Sequence, residues 1–146
     1  MIRKQAIKPQ VFISHSEEDE RLVRRLEKAL KAESVPVWVY YMDITPGEPI
    51  PKKINDALES CDTVLLVWSR AASRSHWVEI EWMSAITLGK KIIPCVLDDT
   101  KPPLILTPTA YTDLRKFRRG VNQIIEALRR SEFHFNNVIR SKNRSL

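Results

Sequence analysis

The chain has 146 residues, 43% of them apolar and 29% charged, the size and make-up of one soluble domain able to bury a real core. Its net charge of +6 is unevenly placed: residues 114–146 hold nine Lys/Arg against Glu126 and Glu132, giving +7 there and −1 over the rest of the chain. That is a basic terminal helix and tail rather than a groove of cations interleaved with aromatics, so a nucleic-acid partner is the lesser reading.

No apolar run approaches the about 18 residues of a membrane span, and "MIRKQAIKPQ" lacks the apolar stretch of a secretion signal. The sequence therefore predicts a cytoplasmic protein without a membrane partner. Cys61 and Cys95 have neither metal spacing nor a disulfide framework, and fit a reducing compartment.

In chain order, "QVFIS" (10–14) reads as a first strand. Ser16 followed by Asp19 resembles a capping box, ahead of Leu22, Val23, Leu26, Ala29 and Leu30 at helical spacing. "VPVWVYY" (35–41) is a second strand, with Pro36 restricted to its start or an edge. "MDITPGEPIP" carries three prolines and Gly47, and is a loop. A short helix over 51–60 presents Ile54, Ala57 and Leu58. "TVLLVWS" (63–69) is a continuous apolar run, hence a central strand buried on both faces.

Ser75 then caps a helix "HWVEIEWMSAITLG", which Gly89 closes through a left-handed turn. At helical spacing Val78, Trp82, Ala85, Ile86 and Gly89 form one stripe, and Trp77, Glu81, Ser84 and Leu88 the stripe beside it. Glu79 points to water, whereas Glu81 sits one turn from Trp77 at the edge of the apolar face, partly stripped of water. A working carboxylate sits in such a place, and so does a harmless one.

"KIIPCVL" (91–97) supplies a fourth strand, "DDTKPPLILTPT" a proline-rich connection, "AYTDL" a short fifth strand, and "VNQIIEALRR" a last helix on Val121, Ile124, Ile125 and Leu128. This divides the chain into an N-terminal extension (1–9), a domain (10–131) and a basic tail or linker (132–146). Strands alternating with helices predict a flavodoxin-like α/β fold, a five-stranded parallel sheet with helices on both faces. Ligands of such sheets lie beyond the carboxyl ends of the strands, which points to Ser14–Ser16, Tyr41–Ile50 and Ser69–Trp77.

Glycine occurs only at 47, 89 and 120, so neither a GxGxxG fingerprint nor a Walker loop exists. The first and third strands end in Ser14-His15 and Trp68-Ser69, not in the aspartates of a phospho-acceptor receiver. His15, His76 and His134 lack zinc spacing, no GxSxG elbow is present, and Cys61 reads as a packed thiol.

Three segments in order, "VFISHSEEDE", "VWVYYMDITPGEPIPKKINDAL" and "VLLVWSRAASRSHWVEIEWMSAITLGKKIIPCVL", resemble the TIR (Toll/interleukin-1 receptor) domain of the bacterial kind, over residues 10 to about 130. The resemblance implies a TIR fold and, in the NAD-cleaving branch, hydrolysis of the nicotinamide–ribose bond of NAD+, with NAD+ as substrate and no cofactor or metal. Products would be nicotinamide with ADP-ribose or a cyclic ADP-ribose isomer.

The family's catalytic glutamate lies in a W-V-x-x-E pattern, here Trp77 to Glu81. The resemblance further implies that Ser14, His15, Ser16, Asp43, Gly47, Ile50, Ser69 and Trp77 line the substrate cleft, Trp77 by stacking on a flat ring. Asp43 reads equally as a turn residue, and His15 equally as a plain polar loop residue. One departure stands out: bacterial relatives often carry an aromatic three residues after the loop glycine, where this chain has Ile50.

The implied role is an immune or anti-phage defence effector activated by TIR–TIR self-association under a sensor domain or upstream protein. The alternative is a non-catalytic TIR signalling adaptor that uses the fold only for TIR–TIR contacts.

Overall fold

The computed structural model describes residues 10–41, 47 and 52–144, without the side chains of residues 53, 131–139 and 141. Strands β1 (Val11–Ser14), β2 (Val37–Trp38), β3 (Thr63–Trp68), β4 (Lys91–Val96) and β5 (Thr112–Asp113) form one sheet in the order β2-β1-β3-β4-β5. Every pairing is parallel, as the alternation of strands and helices predicts. The helices are α1 (Glu20–Ala32), α2 (Lys52–Ser60), α3 (Arg70–Ser73), α4 (His76–Thr87) and α5 (Phe117–Arg144).

All six residues of β3 are buried, because the strand is covered on both faces. Its period of two sorts the core. Val64, Leu66 and Trp68 join Phe12 under Ile54, Ala57 and Leu58 of α2 and Val78 and Ala85 of α4. Leu65 and Val67 join Val11 and Ile13 under Val23, Leu26 and Leu30 of α1 and Val121, Ile124 and Leu128 of α5. The chain thus leaves β1 toward one face and neighbouring β3 toward the other, and a crevice opens at their carboxyl ends.

Helix α4 begins and ends where the sequence predicts. Ser75 accepts from Val78 N–H at 3.3 Å. Gly89, at φ +69°, turns the chain back so that its own N–H reaches Ile86 O and Lys90 N–H reaches Ala85 O. Only a residue without Cβ takes that backbone at no steric cost.

Three expectations are corrected. Strand β2 pairs over two residues instead of seven: it is an edge strand, and Pro36 accepts from Val11 but has no N–H to return. The capping box does not form. Ser16 accepts from Glu18 N–H and caps a 3-10 turn, while the Asp19 carboxylate turns away to Ser69. The lead-in to α4 contains a short helix of its own, α3, capped by Ser69. Helix α5 runs to Arg144; residues 121–144 hold no Gly or Pro, and Lys142 and Arg144 in its last turn suit the negative helix end.

Strand β5 is short for a reason that lies in β4. Lys91 N–H donates to Asp62 and Leu97 N–H to Trp68, on the β3 side. The even residues between them therefore face the other way, as Val96 does in accepting from Leu114. Pro94 is one of these, so its missing N–H falls where β5 has not begun; β5 pairs only with Cys95 and Val96.

Candidate active site

Along β1, Phe12 and Ser14 face α4, and the Phe12 ring stacks on Trp38 of β2 at 5.2 Å with 12° between planes. Trp38 lies opposite Phe12, so Ser14 and Tyr40, two residues further along each chain, share that face. Onto it α4 lowers Val78, Glu81 and Ala85, its buried stripe.

Glu81 is thus at the centre of the packed face, 2% exposed, and not at its margin. The sequence reading of a half-exposed carboxylate is corrected here: spacing of three and four places residue 81 between 78 and 85 whatever its polarity. Ser14 Oγ donates to Glu81 Oε1 at 3.2 Å, while Oε2 is buried without a hydrogen-bond partner. Burial pushes the Glu81 pKa up to about 8, against the opposing pull of the Tyr40 and Ser14 hydroxyls. Burial and the Glu81 carboxylate in turn push the Tyr40 phenol above its usual range. At neutral pH the resting carboxyl group is mostly protonated.

The other expected residues are distributed as follows. His15 packs edge-on to Tyr41 at 5.5 Å and tilted to Tyr40 at 6.4 Å; partial burial lowers its pKa, and its Nδ1 has no partner. Ser16 is spent on its cap. Ser69, at the end of β3, donates to Asp19 at 2.5 Å and accepts from Ala72 N–H, so its one proton is committed to the fold. Partial burial raises the Asp19 pKa, opposed by that Ser69 bond. Trp77 is half-buried against the α4-side core, edge-on to His76. Trp68 is buried with its Nε1–H on Lys101 O at 2.8 Å, and Trp82 packs on the same core. Gly47 is exposed at φ +95°. Asp43 and Ile50 lie outside the described residues.

The structure therefore joins Ser14 directly to Glu81, sets Ser16, Ser69 and Trp77 around the same strand ends, and adds two residues that sequence reasoning missed, Tyr40 and Asp19. Tyr40 could have been found from strand register, since "VWVYY" puts Trp38 and Tyr40 on one face. Asp19, read as a helix cap, gave no sign of its partner 50 residues on.

A five-stranded parallel sheet in 2-1-3-4-5 order, with a buried carboxyl group at the crevice where the chain changes face, defines a flavodoxin-like α/β domain. Within that class the chain belongs to the TIR domain family, whose model matches residues 11–128.

One relative is the 2′ cyclic ADP-D-ribose synthase BtTIR of Bacteroides thetaiotaomicron, 31% identical over 71 residues. That match takes in 48% of this chain and 25% of the relative. Among solved structures, the TIR domain of the Toll-related receptor TRR-2 from Hydra magnipapillata superposes with a TM-score of 0.68 at 21% identity, over 82% of this chain and 97% of that one. The TIR domains of the activated Roq1 resistosome superpose with a TM-score of 0.63 at 16% identity, over 82% and 98%. Both likenesses are of fold. No helix of the described residues is long and apolar enough to cross a membrane.

Proposed function

We propose that the chain is a TIR-domain NAD+ glycohydrolase, which cleaves the nicotinamide–ribose bond and acts as a defence effector when its TIR domains associate. The observation that carries this is Glu81: a buried carboxyl group at the sheet's crevice, with one oxygen unpartnered.

The chemistry asks for one such group. In NAD+ the ring nitrogen is already cationic, so the bonding pair leaves with neutral nicotinamide and no proton donor is needed. The ribosyl carbon left behind is oxocarbenium-like, and a carboxylate facing it in a dry site stabilises that charge. Water then captures the carbon to give ADP-ribose and a proton, or a hydroxyl of the substrate captures it, losing its own proton, to give a cyclic isomer. The name of the Bacteroides relative supports the cyclic outcome, and the resistosome neighbour supports association.

A resting carboxyl with a pKa of about 8 does not stand in the way. Ionising it at pH 7 costs about 1.4 kcal/mol. A cationic ring at about 4 Å returns about 4 kcal/mol at an effective dielectric near 20. Substrate binding therefore supplies the charge that releases the proton.

A second reading, the adaptor, draws on exposed Leu104 (88%) and Ile105 (61%), an apolar pair suited to contacts between domains that both readings use. One experiment separates the two: concentrated protein, free and forcibly clustered, is incubated with NAD+ beside Glu81→Gln, and products are resolved by chromatography. Glycohydrolase activity gives nicotinamide from the wild type and none from the variant. Equal turnover by both removes Glu81 from the reaction, and intact NAD+ in every arm leaves the adaptor. Gln is used because Ala would open a cavity at a buried position.

A further inference from the structure

We propose that Tyr40 is a positioning residue of this site: its phenol and the Ser14 hydroxyl grip the Glu81 carboxyl group from two neighbouring strands, so that one oxygen stays free for a ligand. The proposal builds on the reading of Glu81 as the working carboxylate.

Three observations carry it. The pairing of Phe12 with Trp38 puts Ser14 and Tyr40 on the face that α4 covers, so two hydroxyls approach one helix residue from β1 and from the chain leaving β2. The Tyr40 ring is wedged by Trp38 at 5.8 Å, Phe12 at 6.3 Å and His15 at 6.4 Å, which fixes where its oxygen points. And Glu81, though buried, takes a hydrogen bond on Oε1 only. An unsatisfied oxygen there costs stability that a simple core residue would not keep.

The surroundings isolate this pair. Among the described residues α2 presents Ile54, Ala57 and Leu58 to this core, β3 presents Leu66 and Trp68, and β1 presents Phe12. Ser14 donates to the carboxyl group at 3.2 Å, and the Tyr40 phenol, on the same face, favours its ionised form. His15 stands beyond the Tyr40 ring with its pKa lowered by burial, and Glu79 of α4 faces solvent. Among the described residues the two hydroxyls thus favour the ionised form against burial. Removing the phenol oxygen makes the carboxyl harder to ionise while leaving the ring in its wedge.

The test titrates Glu81 by carbon-13 carboxyl NMR in the full chain, with Glu81→Gln assigning the resonance. Tyr40→Phe is expected to raise the midpoint by on the order of one pH unit, with Tm close to that of the wild type. Fluorotyrosine at position 40, a stronger donor, is expected to lower it, and guards against a Phe variant that folds poorly. A midpoint unmoved by either change overturns the proposal.

This readout needs no turnover, so it holds or falls apart from NAD+ cleavage. If the chain cleaves NAD+, the kcat/KM profile of Tyr40→Phe is displaced to higher pH, with about tenfold loss on its rising limb and an unchanged plateau. A loss equal at every pH would reduce Tyr40 to a packing residue and overturn the proposal.

Discussion

Ser69 and Asp19 hold the two sides of the crevice together. The hydroxyl at the end of β3 donates to Asp19 Oδ2 at 2.5 Å and accepts from Ala72 N–H at 3.0 Å, so a single oxygen links the turn after β1 to the first turn of α3. Ser69→Ala should lose the cap and leave a half-buried carboxylate short of a donor, a destabilisation of about 1–2 kcal/mol. Urea unfolding measures it, and Ser69→Thr, which keeps the oxygen, should recover most of the loss.

Glu81 makes stability depend on pH. Its folded pKa of about 8 lies above the ordinary 4.5, so between these values the folded chain holds a proton that the unfolded chain has released. The stabilisation is whole below about 4.5 and is lost as pH rises through 8. In Glu81→Gln that slope should vanish. The fall in unfolding free energy between about pH 5 and about pH 9 should be smaller in the variant by on the order of a few kcal/mol.

Activity should run in the opposite direction. If the ionised carboxylate does the work, kcat/KM for NAD+ climbs with pH on a limb centred near 8, the value for the free site. The kcat limb should lie lower, because a bound pyridinium favours the carboxylate. Initial rates across the range measure both limbs, and coincident limbs would remove the role given to substrate charge.

Gly120→Ala tests how closely α5 approaches the end of β5. Alanine would improve helix propensity by about 1 kcal/mol. Its Cβ, however, would stand 2.9 Å from the Asp113 carbonyl oxygen and 2.9 Å from Leu114 Cδ2. A backbone oxygen cannot step aside as a side chain does, so the net effect should be a destabilisation of about 1–3 kcal/mol, visible as a lower Tm.

The sequence made the strands, their parallel order and the limits of α4 legible, because each rests on local pattern: the run of β3, the cap at Ser75, the turn at Gly89. What it hid rests on contacts between distant segments. Glu81 looked marginal because hydropathy counts a carboxylate as surface, while geometry had already set it between Val78 and Ala85. For Tyr40 the alternation in "VWVYY" shows the face it shares with Trp38, but that this face meets Ser14 and Glu81 comes only from the pairing of Phe12 with Trp38. Asp19 satisfied a local motif, Ser-x-x-Asp, yet its carboxylate is held by a serine that no window along the chain contains.

Pro94 has an effect beyond shortening β5. Any foreign strand laid against β4 below Cys95 would meet a pyrrolidine ring at the height where it needs a proton to accept, and the ladder would fail there. One imino acid in an inner strand thereby withholds a donor from the side of β4 that β5 leaves unpaired.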